Sequence, residues 1–335
     1  MNKLLPFLIL GAGLAFATSL RAADVFEQNR QLGRGVNIIG YDPIWRSLEQ
    51  GRFQAKHLQL LREAGFQNVR VNLAPFRQMD RDKNWALPES WWHTLDWVVR
   101  EATAQKLSVI LDFHEFQSMA RNPASHREQF LSFWRQLSEH CVATPGTVLF
   151  ELLNEPNKEM TPKLWNQYAA DALKIVREKN PARTVIIGPG FWNSADHLNE
   201  LELPENDSNI IVTVHYYSPM SFTHQGASWA GQQDKHDIAW PKDDKQRAAV
   251  SNDFAKVAAW AKAHNRPIYL GEFGAYDKAP MESRVRYADA VARAAEANGW
   301  SWAWWQFDGD FILWDMKKDC WVESILHALI PKENK

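Results

Sequence analysis

Two glutamates stand where apolar strands are expected to end. Glu155 follows an apolar run in 147–158, TVLFELLNEPNK, and Glu272 follows another in 267–277, PIYLGEFGAYD. A buried strand that ends in an ionisable side chain delivers that group to the edge of a sheet. Two such carboxyl groups facing each other can divide the work of catalysis, one as proton donor and the other as an ionised partner.

Polar side chains also end several other predicted strands. Taken singly, each has an ordinary structural explanation, such as an ion-pair partner for an arginine or a satisfied core position for a histidine. Their recurrence at strand ends predicts convergence on one site. They are Arg70, Asn72, Asp112, His114, Asn154, His215, Tyr217, Trp305, Gln306 and Asp308.

The elements that must position these groups alternate along the chain. Eight strands are predicted at 33–40, 66–73, 107–114, 147–155, 184–190, 209–217, 267–274 and 300–307. Segments with helical spacing of apolar residues separate most of them. This alternation predicts a single-domain (β/α)8 TIM barrel over 23–335, with a doubly wound open sheet as the alternative. No G-x-G-x-x-G pattern follows the first strand, which argues against a dinucleotide-binding domain.

Composition restricts the class of ligand. The formal net charge is −2 and no block of Lys or Arg forms a stripe, so no nucleic-acid partner is predicted. The chain has 17 tryptophans, more than a core ordinarily needs. This surplus supplies flat aromatic faces for a ligand, and the small net charge indicates that the ligand is not strongly charged.

The N-terminal segment 1–22 has one lysine, a short apolar stretch and a small-residue end. This pattern is typical of a secretory signal peptide cleaved near Ala22, although an uncleaved anchor is the alternative. We therefore expect a secreted or periplasmic protein with no membrane contact after cleavage, and a monomer by default. Cys141 and Cys320 are expected to be free thiols.

Six short motifs stand at the strand ends: RVN (70–72), DFH (112–114), NEP (154–156), HYY (215–217), GEFG (271–274) and WWQF (304–307). In this order along the chain, they resemble glycoside hydrolase family 5, of the clan with catalytic glutamates on strands four and seven. The resemblance covers essentially the whole mature chain.

The resemblance implies Glu155 as acid/base and Glu272 as nucleophile. It implies a supporting shell of Arg70, His114, Asn154, His215, Tyr217 and Trp305. Carboxyl groups about 5 Å apart retain the anomeric configuration, whereas about 6.5–9.5 Å leaves room for water and inversion. Sequence gives no such distance, so retention is implied by the family alone.

Four further tryptophans follow predicted strands or lie in long loops, and we expect them to bind flanking sugars: Trp192, Trp229, Trp240 and Trp314. The histidines lack H-E-x-x-H spacing and no G-x-S-x-G elbow occurs, so neither a metal, a cofactor nor a serine nucleophile is predicted.

The resulting hypothesis is an endo-1,4-β-glucanase acting on cellulose or mixed-linkage β-glucan. A β-mannanase or xyloglucanase on the same scaffold stays open, since a few loop side chains decide the substrate. A barrel that binds polysaccharide without cutting it is the remote alternative.

Overall fold

Eight parallel strands close a barrel in the computed structural model, which describes residues 24–332. The strands pair in chain order, and β1 pairs with β8 through Gly35 and Ala303, which excludes the open-sheet alternative. The (β/α)8 prediction is confirmed. The strands are β1 Arg34–Ile38, β2 Asn68–Leu73, β3 Ser108–Phe113, β4 Val148–Glu151, β5 Val185–Ile187, β6 Ile210–Tyr216, β7 Ile268–Phe273 and β8 Ser301–Trp304.

Amphipathic helices cover the outside of the barrel and begin at recognisable caps. Thr161 accepts a hydrogen bond from Leu164 N and Asp243 accepts one from Gln246 N, so each satisfies an otherwise unpaired helical N–H group. The helices are Val25–Leu32, Ala55–Ala64, Glu89–Ala104, Phe116–Arg121, Pro123–His140, Pro162–Lys179, Met220–Thr223, Asp244–His264, Met281–Ala297 and Glu323–Leu329.

The N-terminal helix closes one end of the barrel. Val25 and Leu32 pack with an inner layer of strand side chains that includes Ile110 and Tyr269. Asn29 donates to the carbonyl of Ile268 at 2.9 Å. The amino ends of the strands are therefore covered, and the carboxyl ends form the open mouth.

Local departures from the predicted elements occur mainly after β4 and β5. β4 ends at Glu151, four residues before Glu155. β5 is followed by the turn Gly190–Asn193, in which Phe191 and Trp192 are left-handed, and by a short 3-10 helix, Ala195–Glu200. A small hairpin, Trp314–Asp315 with Cys320–Trp321, was not predicted from the sequence.

The signal-peptide prediction for 1–22 lies outside the described residues. Across 24–332, no helix has the length and apolar character required to cross a membrane. Cys141 is buried, Cys320 is exposed, and both are free thiols.

Candidate active site

Arg70 is the centre of the polar cluster at the barrel mouth. It lies on β2 with no solvent exposure. Its guanidinium donates to both carboxylate oxygens of Glu151 at 2.7 and 2.8 Å, to Glu272 Oε1 at 2.7 Å and to Asn154 Oδ1 at 2.9 Å. Asp112 Oδ1 lies 3.2 Å away. Burial disfavours a charged guanidinium, but the carboxylates outweigh it and hold the pKa of Arg70 well above its usual range.

Glu272 lies on β7 and is aimed inward beside a register shift between β6 and β7. Gly271 permits this packing, because a Cβ there would lie 3.0 Å from His215 Nε2. Besides Arg70, the Tyr217 hydroxyl donates to Glu272 Oε2 at 3.0 Å. Burial raises the pKa of Glu272, and the charge and hydrogen bond of Arg70 oppose that rise.

Glu155 follows β4 in a left-handed backbone conformation, with φ of 45°. The Asn157 side chain donates to its carbonyl at 2.6 Å and holds this turn. Burial raises the pKa of Glu155 well above its usual range, and the negative charge of Glu272 raises it further. The two carboxyl groups therefore differ in how strongly they hold a proton. Glu155 retains its proton more strongly, and the two donors on Glu272 favour its ionised form.

The distance between the two carboxyl groups decides what they can do. Ligand atoms of Glu155, His215 and Glu272 all lie within 4.8 Å of one another. This separation matches direct attack by one carboxylate on a sugar carbon and leaves little room for an intervening water.

Glu155, His215 and Glu272 are also close enough together to hold a metal ion. However, the fixed positive charge of Arg70 contacts Glu272 at 2.7 Å, and burial keeps the proton on Glu155. A cation would have to displace both, so the arrangement favours proton transfer over metal binding.

His215 bridges the two glutamates. Its Nδ1 lies 3.0 Å from Glu155 Oε1 and 3.6 Å from Glu272 Oε2. Burial lowers the pKa of His215 well below its usual range, and the charge of Arg70 lowers it further, so the imidazole is neutral. Asn193 Nδ2 lies 3.2 Å from the other ring nitrogen and fixes the ring orientation.

An aromatic face lies beside these groups. The His114 and Trp305 rings stack with centroids 5.4 Å apart and planes 8° apart. Asp112 Oδ2 lies 2.6 Å from His114 Nδ1. Burial alone would raise the pKa of Asp112, but the positive charge of Arg70 and the contact with His114 lower it. An ionised Asp112 thus orients His114 against Trp305.

Comparison with known proteins agrees with this geometry. The model of the cellulases of glycosyl hydrolase family 5 matches residues 31–310. The chain belongs to glycosyl hydrolase family 5.

Several curated relatives named endoglucanases match over most of the chain. Endoglucanase H of Acetivibrio thermocellus is 28% identical over 93% of this chain, which covers 34% of that protein. Endoglucanase 3 of Fibrobacter succinogenes is 25% identical over 84% of this chain, covering 50% of that protein. The chain thus spans a third to a half of these curated relatives.

Among solved structures, Thermotoga maritima Cel5A with cellobiose is 34% identical, with a TM-score of 0.87 over 92% of this chain and 100% of that one. The same enzyme is also described in complex with mannotriose, again with a TM-score of 0.87 and 34% identity.

The inner residues named from the motifs lie together at the barrel mouth, whereas the four outer tryptophans differ in exposure. Trp192 and Trp229 are 45% and 58% exposed. Trp192 N donates to the carbonyl of Pro156 at 3.1 Å, so this tryptophan lies beside the segment that carries Glu155. Trp229 packs edge-on against Tyr276.

Trp240 and Trp314 are corrections to the expected sugar-binding set. Trp240 is 1% exposed and packs between Phe222 and Tyr287. Trp314 is 4% exposed and stacks on Phe307. Both loops fold back and insert the indole into the core, so neither ring offers a face to a ligand.

Three site residues were missed from the sequence. Glu151 accepts the bidentate contact from Arg70, Asn37 Oδ1 accepts from Arg70 at 2.8 Å, and Asn193 supports His215. Glu151 did carry a signal, since a carboxylate inside a buried strand requires a partner. Asn37 and Asn193 follow no pattern that distinguishes them from other asparagines.

Proposed function

We propose that this chain is an endo-acting, retaining β-1,4-glucanase in which Glu272 is the nucleophile and Glu155 the acid/base. The observation that carries the proposal is the close carboxyl pair, with oxygens within 4.8 Å and with the pKa of Glu155 raised more strongly than that of Glu272. The family match and the relatives named endoglucanases support the substrate class.

The first half of the reaction forms a glycosyl-enzyme ester. Glu272 Oε attacks the anomeric carbon while Glu155 transfers its proton to the departing glycosidic oxygen. Arg70 and Tyr217 keep Glu272 ionised beforehand through hydrogen bonds of 2.7 and 3.0 Å. Trp305 provides the floor for the sugar ring.

The second half hydrolyses that ester. Glu155, now ionised, removes a proton from a water that attacks the anomeric carbon from the face the leaving group vacated. Neutral His215 lies 3.0 Å from Glu155 and accommodates both of its protonation states without adding charge. Asn154 Oδ1 accepts from Arg70, and its amide nitrogen lies 3.5 Å from His114 Nε2, which leaves one N–H group for the neighbouring sugar hydroxyl.

Reducing-sugar release from β-glucan, hydroxyethyl cellulose and mannan tests the function in the wild type, Glu155→Ala and Glu272→Ala. We expect glucan cleavage that collapses in both variants. Wild-type cleavage of mannan alone would contradict the glucan assignment but leave the mechanism, and binding without cleavage would favour the non-catalytic alternative.

The two roles are separated by added azide with an activated aryl cellobioside. Azide should yield a β-glycosyl azide with Glu155→Ala, because the nucleophile remains, and an α-glycosyl azide with Glu272→Ala. The reverse pattern would exchange the roles.

Export and a monomeric state complete the proposal. Cleavage near Ala22 would leave Asp24, whose side chain caps the first helix by accepting from Phe26 N at 3.0 Å. The N-terminal mass of the protein recovered outside the cytoplasm tests the cleavage site, and sedimentation tests the monomer.

A further inference from the structure

A cleft of about 1030 Å³ adjoins the active site and is formed by the loops after β1, β2 and β3. His114 and Tyr41 line it on the side of the catalytic centre. Tyr41 is 67% exposed, and its ring meets the Trp305 ring edge-on at 6.4 Å. A sugar chain that crosses Trp305 can therefore continue into this cleft.

Three arginines, Arg46, Arg77 and Arg121, line the cleft. All three are exposed. Within residues 24–332, no carboxylate oxygen lies within 4.0 Å of their side-chain nitrogens. By contrast, nearby Arg52 is paired with Asp42 and Asp308. The three guanidinium groups thus present unneutralised charge and free hydrogen-bond donors to one cavity.

The carboxylates in the cleft are already engaged. Asp42 accepts backbone hydrogen bonds from Ile44 and Phe53 at 2.9 and 3.1 Å. Glu115 accepts one from Phe76 N at 2.7 Å, and its burial raises its pKa. Asp42 is paired with Arg52, and Glu115 lies within the field of Arg77 but makes no ion pair with it. Three arginines against these two carboxylates leave the cleft positive, although the whole chain has a net charge of −2.

Carboxylates stand on another part of the mouth. The loops after β7 and β8 instead carry Asp277 and Asp310, which are joined by a backbone hydrogen bond of 2.9 Å. An anionic group would be repelled there and attracted to the arginines.

We propose that the arginine cleft binds an anionic substituent, carboxylate or phosphate, on a sugar flanking the one that reacts. The preferred polymer is then a β-glucan that carries acidic groups. The guanidinium fork matches the oxygens of either anion, and the reacting sugar itself can remain neutral. This inference rests on the proposed glucanase function and deepens it.

The test compares kcat/KM on neutral hydroxyethyl cellulose with kcat/KM on carboxymethyl and phosphorylated cellulose of matched length and substitution. The variant is Arg46→Gln/Arg77→Gln/Arg121→Gln. Its matched control, Arg62→Gln/Lys174→Gln/Lys262→Gln, removes the same number of charges from exposed positions on the outer helices.

We expect the ratio of anionic to neutral kcat/KM to fall about tenfold in the cleft variant, since each exposed contact contributes a factor of a few. The control should keep the wild-type ratio. In the wild type, raising salt from about 0.02 to about 0.5 M should lower the ratio by screening. An effect on one anionic polymer alone identifies carboxylate or phosphate as the group bound.

The inference would be overturned if the ratio of anionic to neutral kcat/KM were the same in the wild type and the cleft variant. An equal fall of this ratio in the control variant would also overturn it. Failure of the proposed function is distinguishable, because the wild type would then leave hydroxyethyl cellulose intact. In that case, binding of labelled carboxymethyl cello-oligosaccharides to the Glu272→Ala protein, with and without the cleft substitutions, still decides the inference. Equal binding would refute it.

Discussion

Tyr217→Phe should move the acidic limb of the pH–activity profile to higher pH. The Tyr217 hydroxyl is one of two strong donors to Glu272, at 3.0 Å, and the other is Arg70 at 2.7 Å. A hydrogen bond to a charged group contributes about 1.5–3 kcal/mol, and one pKa unit corresponds to about 1.36 kcal/mol. Loss of the hydroxyl therefore raises the pKa of Glu272, and we expect the acidic limb of the profile to move up by about one to two pH units.

The direction in which the acidic limb moves depends on which ionisation state of Glu272 is active. Glu272 must be ionised to attack, so a higher pKa for Glu272 removes activity at the low-pH side and leaves the high-pH side, set by Glu155, nearly unchanged. Because Arg70 stays in contact and still favours the ionised nucleophile, activity is retained on the high-pH side of the profile.

The assay is kcat/KM against pH on a soluble cello-oligosaccharide, which reports the groups of the free enzyme. Tyr276→Phe is the matched control, because the Tyr276 ring lies in the same mouth, edge-on to Trp229. A uniform loss at every pH with an unmoved acidic limb would refute the reasoning, since Tyr217 would then act on the substrate and not on Glu272.

Two further expectations separate positioning from packing. Trp192→Ala should raise KM for polymeric glucan with little change in stability. Trp240→Ala should instead lower the free energy of unfolding by about 3–5 kcal/mol without a comparable rise in KM. Urea denaturation measures the stability of both variants, and initial rates give their KM. Asn193→Gly removes the amide beside His215, while glycine tolerates the left-handed backbone at this position. We expect kcat to fall about two- to tenfold and the limb of the pH profile set by Glu155 to shift. An unchanged kcat and pH profile would contradict a role of Asn193 in orienting His215.

The sequence predicted the inner site where regular strands carry it. Arg70, His215 and Glu272 lie on or within two residues of strands whose period and boundaries are legible in the chain. Glu155 is different. It was expected at the end of a strand, yet it stands four residues beyond β4 in a left-handed turn. Its role, like that of Glu272, was implied by the resemblance to the family.

The outer residues could not be predicted because burial in loops has no period. Trp192 and Trp240 both follow strands in irregular segments, yet one is 45% exposed and the other 1%. What separates them is tertiary packing: Trp240 meets Phe222 and Tyr287, residues distant from it in the chain. Glu151 was missed for a different reason: its strand was predicted, but the position of its side chain inside the barrel was not.

The contacts of Arg70 make catalytic competence a property of the whole chain. This one side chain, on β2, joins Asn37 of β1, Glu151 of β4 and Glu272 of β7, the last at a separation of 202 residues. Until β7 has taken its place in the barrel, Glu272 lacks the cation of Arg70, and Glu155 lacks the charge that contributes most to its raised pKa. Catalysis is thus restricted to the completed ring, because a half-barrel of β1 to β4 can keep the contact of Arg70 with Glu151 but holds Glu155 without its partner Glu272.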